Sequence, residues 1–172
     1  TWAPHAKVTL LYMLTNGIQQ TEDFNDFKSS HVAAVVTPHP RLKWTGNLFM
    51  GREQTDGGLP GGPDGAFRVL DTYVEVTASK ALALGLDLNH VTNQVLRIDR
   101  PLSLTGMGAY GRYQATPAVA LGVRYEALDD DGLFGGVEQV LREATGTFEY
   151  RVDEAFRARV EVRRDWSSRP FF

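Results

Sequence analysis

Two-residue alternation of apolar and polar side chains runs through this chain and limits its fold more than any other feature. Over Ala81–Asn89 every even position is leucine and every odd position is small or polar. A strand sends alternate side chains to opposite faces, so such a segment has one apolar and one polar face. The pattern returns at Leu42-Trp44-Leu48-Met50, at Leu70-Val74-Val76 and at Val119-Leu121-Val123-Tyr125. It closes with Phe156-Ala158-Val160-Val162 set against Arg157, Arg159, Glu161 and Arg163. The pattern predicts about nine strands, at roughly 6–16, 30–37, 41–53, 67–78, 81–91, 103–114, 118–127, 144–152 and 155–166. Only residues 137–143 carry helical spacing, which predicts one or two turns of helix inside a loop.

The connections alternate too. Tight turns are expected at Pro38-His39-Pro40, Ser79-Lys80, Ala115-Thr116-Pro117 and Asp153-Glu154, and long ones near 17–29, 54–66, 92–102 and 128–143. In an up-and-down meander this puts every tight turn at one end and every long loop at the other, as in transmembrane barrels with short turns on one side. Strands of about 11 residues, at ~3.3 Å each and tilted ~45°, rise about 25 Å, the height of the apolar band of such barrels. The fold expected is therefore all-β: an antiparallel, up-and-down transmembrane β-barrel over 1–172, with apolar residues facing lipid. A membrane helix is excluded, because no apolar run nears the ~20 residues it needs.

Charges fall on the opposite face. The inward, pore-lining set expected is Lys43, Glu75, Asp87, Arg112, Arg124, Glu126, Glu149, Arg151, Arg157, Arg159, Glu161 and Arg163. Pairs are expected between Arg124 and Glu126, and between Glu161 and its flanking Arg159 and Arg163, since residues two apart share a strand face. Trp44, Tyr113, Tyr150 and Phe156 lie on the apolar face close to tight turns, where amphipathic rings favour a membrane interface.

Motifs for other chemistries do not hold. Gly106-Met107-Gly108-Ala109-Tyr110-Gly111 matches a dinucleotide fingerprint, but strand periodicity follows it where that site needs a helix. Asp129-Asp130-Asp131-Gly132 lacks the spacing of a calcium loop and is expected to be an acidic loop tip. Gly57–Gly65 reads as a flexible loop. There are no cysteines, and the four histidines have no paired spacing, so no cofactor or metal is expected. The absence of G-x-S-x-G and of any convincing Ser/His/Asp set points away from an enzyme. A net charge of −3 gives no basis for nucleic-acid binding, and the 42% hydrophobic content excludes a disordered chain.

These residues resemble the OmpL-like beta-barrel porin family of bacterial outer membranes. The early half of the resemblance rests on Leu14-Thr15-Asn16-Gly17, Asn25, Lys28, Thr37-Pro38 and Gly51-Arg52-Glu53. The later half rests on Gly108, Tyr110, Arg112, Tyr113, Arg124-Tyr125-Glu126, Asp130, Asp131, Gly132, Gln139, Thr145–Tyr150, Glu161 and Arg163–Ser167. It implies a channel for small polar solutes in the bacterial outer membrane, with lipid around it, no catalytic residues, and room for homo-oligomers. Two observations suggest a piece of a larger barrel, incomplete at both ends. Nine strands is odd, whereas single-chain bacterial barrels have even numbers, and the family pattern continues beyond Asp165-Trp166-Ser167. The rival architecture is a soluble lipocalin-like barrel, whose apolar face would turn inward around a lipophilic ligand.

Overall fold

The computed structural model describes residues 1–18, 21–23, 25–54, 64–94, 100–133 and 136–170. Ten strands form one antiparallel sheet in sequence order: β1 (Trp2–His5), β2 (Val8–Thr15), β3 (Ser29–His39), β4 (Leu42–Gln54), β5 (Asp64–Thr77), β6 (Leu82–Asn93), β7 (Leu102–Gln114), β8 (Val119–Asp131), β9 (Glu138–Arg151) and β10 (Arg157–Ser167). The sheet is not closed: β1 and β10 are its two edges. The expected alternation of short and long connections is kept, and β1–β2 adds one more tight turn at the same end.

Two sequence expectations need correction. The count is ten rather than nine, because Trp2–His5 forms its own short edge strand. It carries Pro4, and proline is tolerated at an edge because it lacks a ladder donor. The argument from an odd strand number therefore falls. Residues 138–143 are not helical either. They begin β9 and pair with Ala127, Leu128 and Asp129 of β8 among others, so Val140 and Leu141 point to opposite faces. No described residue is helical.

The burial pattern is the reverse of a soluble protein's. Leucines and aromatics of the apolar face stand exposed, Leu86 at 61% and Val123 at 67%, whereas Glu143 and Glu149 on the opposite face are each only 6% exposed. Hydrophobic transfer would never leave such a face to water in a monomer. A soluble barrel with its apolar face sheltered is thus not what this sheet builds. The few buried apolar side chains, Leu102, Leu104 and Ala120, lie on the charged side. Leu102 and Leu104 sit near the long connections, on the same face as the edge-to-face pair of Phe49 and Phe67, 6.1 Å apart. The glycine-rich stretch 57–65 lies outside the described residues except for Asp64 and Gly65, which pair with Gln54 and Glu53 in β4–β5.

Candidate functional site

Antiparallel register decides which charges meet. Asp87, Glu126, Glu143 and Asp165 fall in one continuous cross-strand row with Tyr73 and Gly108, so four carboxylates occur in it with no cation. The next row on this face, one step nearer the tight turns, runs Lys43, Glu75, Gly85, Tyr110, Arg124, Thr145 and Arg163. Cations of the second row therefore lie diagonal to carboxylates of the first. Arg124 donates to Glu143 at 2.8 Å, and Arg163 reaches Glu143 at 3.1 Å and Asp165 at 2.8 Å. Lys43 pairs with Glu75 directly across β4–β5, at 2.9 Å.

Nearer still to the tight turns, Glu149 is gripped by three guanidinium groups: Arg112 at 2.9 Å, Arg159 at 3.1 Å and Arg157 at 3.4 Å. All twelve residues expected to line the interior occur at alternate positions that the ladder places on this one face. The pairing within it departs from expectation. Arg124 stands 3.9 Å from Glu126 but makes its close bonds to Glu143 of the next strand. Among the described residues Glu161 has no arginine within 4 Å, and it instead accepts the Thr147 hydroxyl at 3.3 Å. For Arg124 the cross-strand diagonal to Glu143 gives the closer contact than Glu126 on its own strand, whereas Arg163 bonds both its strand neighbour Asp165 and Glu143 across the ladder. The expected pore-lining set left out Asp71, Glu143 and Asp165. Their signal was available: each shares the parity of the charged residues on its own strand.

Two tyrosines lie along the wall rather than out from it. The Tyr110 hydroxyl donates to Glu126 at 2.6 Å, and its ring covers Gly108, where a Cβ would come within 2.8 Å of the hydroxyl oxygen. Tyr73 covers Gly85 in the same way, and the two rings meet edge to face at 6.3 Å. Of the dinucleotide-like motif's glycines, Gly108 thus seats an aromatic ring, while Gly106 and Gly111 lie against Leu128 and Val123.

At the long-connection end, residues that carried the family resemblance build a clasp. Glu53, 2% exposed, accepts the Ser29 hydroxyl at 2.5 Å and the Ile18 amide at 2.9 Å. Asn25 donates to the Arg52 carbonyl at 2.8 Å, and Lys28 bonds Asn16 and Asp23, each at 2.7 Å. The hydrogen bond and charge of Lys28 hold the Asp23 carboxyl below its usual range. The acidic triplet is not a loop tip. Asp129–Asp131 ends β8, where Asp130 is buried and accepts the Gly132 and Leu133 amides at 3.1 and 2.6 Å.

The chain matches the family model described as "Putative beta-barrel porin-2, OmpL-like" along residues 1–172. It belongs to that family. No curated protein and no solved structure matches it. The family's porin-like barrel accounts for the sidedness just described: an uncovered apolar exterior and a sheltered, charged interior. On the exterior of this porin-family sheet, Trp44, Tyr113 and Tyr150 lie close to the tight turns, with the Trp44 indole donating to Thr72 at 2.7 Å. Phe156 falls in the turn before β10. A second aromatic pair, at 6.2 Å, joins Tyr125, midway along β8, to Trp166 near the long-connection end of β10, with the Arg164 guanidinium 5.9 Å from the Trp166 ring centre.

Proposed function

We propose that this chain forms wall of an outer-membrane porin through which small polar solutes diffuse passively, with no chemistry performed on them. The observation that carries this reading is the separation of the two faces through the middle of the strands. From Leu70 to Val162 the middle of the exterior is apolar, while the interior is lined with paired charges. Exterior charges such as Arg68, Arg142 and Arg164 occur only toward the long connections. An arginine at mid-bilayer would cost about 2–4 kcal/mol, a penalty that falls to about 0–1 near the interfaces. Trp44, Tyr113, Tyr150 and Phe156 would then sit at one headgroup level and Trp166 toward the other.

The same arrangement suits a pore. Facing rows of carboxylates and guanidinium groups create a transverse field that favours hydrated, polar solutes and excludes apolar ones. The partners in this reading are lipid and small polar solutes, and identical subunits could surround it without altering the argument. The test is reconstitution of the protein as its gene encodes it into planar bilayers. Discrete conductance steps are expected; their absence at high protein-to-lipid ratio would refute the proposal.

A further inference from the structure

We propose that the tight-turn end of the charged face is a binding station for small oxyanions, such as carboxylates or phosphates of small metabolites; this rests on the pore reading above. Charge is distributed unevenly along the strands. The row containing Asp87, Glu126, Glu143 and Asp165 holds only carboxylates. The rows nearest the tight turns hold Arg112, Arg151, Arg157 and Arg159 against only Glu149 and Glu161.

The local pairing leaves this end short of negative charge. Arg112, Arg157 and Arg159 all share the single carboxylate of Glu149, at 2.9, 3.4 and 3.1 Å. Glu161 is turned to Thr147 and, among the described residues, has no arginine within 4 Å. Arg151 has no carboxylate of the described residues within 4 Å, and register sets it directly opposite Arg157. Like charges facing each other across a ladder destabilise a sheet, so the chain carries a cost here that an anion would relieve. Four guanidinium groups against two carboxylates leave a net charge of about +2 for a solute to neutralise.

Space is present beside them. A hollow of about 210 Å³ is lined by Arg112, Ala120, Gly122, Thr147, Glu149 and Arg159. At ~30 Å³ per water it holds about seven, enough for a small organic anion. Ala120 and Gly122 keep it open by having almost no side chain, and Thr147 offers a hydroxyl. Guanidinium forks match the planar geometry of carboxylate and phosphate oxygens and bind them with two parallel bonds. An anion shared by Arg112 and Arg159 would compete with Glu149 for the same donors, which keeps binding weak enough for the solute to leave, as conduction requires.

The experiment is single-channel recording from the protein as its gene encodes it, with citrate, and separately inorganic phosphate, added to one side at a time. A saturable block is expected, deeper from one side than the other. Arg157→Gln/Arg159→Gln should raise the half-blocking citrate concentration at least tenfold, and Glu149→Gln should lower it severalfold. Only molecules that give conductance steps are counted, so misfolded variants do not enter the comparison. Steps without block, or a half-blocking concentration equal in wild type and the double variant, would overturn the station and leave the pore reading standing. No steps from the wild type would overturn both.

Discussion

The clasp between Ser29 and Glu53 supports a quantitative test. Glu53 closes β4 with a carboxylate 2% exposed, and its two hydrogen bonds tie it to Ser29, at the start of β3, and to the Ile18 amide, just beyond β2. Hydrogen bonds to a charged group contribute about 1.5–3 kcal/mol each. Ser29→Ala removes one and leaves a buried carboxylate short of a donor. Glu53→Ala removes both and leaves a buried hydroxyl and an amide unpaired, for an expected loss of about 3–5 kcal/mol. Because the two residues share one bond, the double variant should lose less than the sum of the singles, with a coupling of about 1.5–3 kcal/mol. The assay is reversible urea unfolding in phospholipid vesicles, followed by tryptophan fluorescence from Trp2, Trp44 and Trp166. Additive losses, with coupling below about 0.5 kcal/mol, would refute the clasp. Gly51→Ala gives an independent check. Its Cβ would come 2.5 Å from the Glu53 carboxylate oxygen and 2.7 Å from the Ser29 Cβ, so it should cost about 1–3 kcal/mol by overpacking the same contact.

Leu86→Arg, midway along β6 on the exterior, should cost about 2–4 kcal/mol in vesicles and far less in detergent; equal stability in both would place that face away from hydrocarbon. Gly108→Ala should push the Tyr110 ring off its seat and break its bond to Glu126, changing unitary conductance by a measurable step and costing about 1–3 kcal/mol of stability. Asp23, whose carboxyl is held low by Lys28, contributes stability above its unfolded pKa and loses it as pH falls through the lower, folded value. Protease cleavage within 16–28 should therefore accelerate below the ordinary carboxylate range, and Asp23→Asn should flatten that dependence.

Most strands were legible because burial of one face imposes period two, and the outward leucines of β6 carry that signal without interruption. Residues 137–143 misled because Val137, Val140 and Leu141 have helical spacing. Pairing with β8 overrides it, placing Val140 outward and Leu141 inward. Trp2–His5 was invisible as a strand since four residues with a proline contain no usable period. The face occupied by each charge was readable from parity alone. Its partner was not, because Glu143 and Glu149 gather arginines from β7, β8 and β10, and register between strands leaves no mark within any one of them. The clasp was legible only as scattered family residues; their common purpose needs Asn16, Asn25, Lys28 and Glu53 brought together across the ends of three strands.

The tyrosines seated on glycines have a consequence for how such a channel could change over generations. In the proposed pore, with Tyr73 and Tyr110 reclining over Gly85 and Gly108, the free width at that level would depend on the absence of two methyl groups. Adding one methyl lifts a whole ring into the passage, a large change in aperture from a small change in volume. Exchanging the tyrosine for a short residue opens the passage and frees the glycine to vary. Each glycine and its ring therefore form one inherited unit, and the calibre of the channel can be retuned by single substitutions that leave every backbone hydrogen bond of the wall in place.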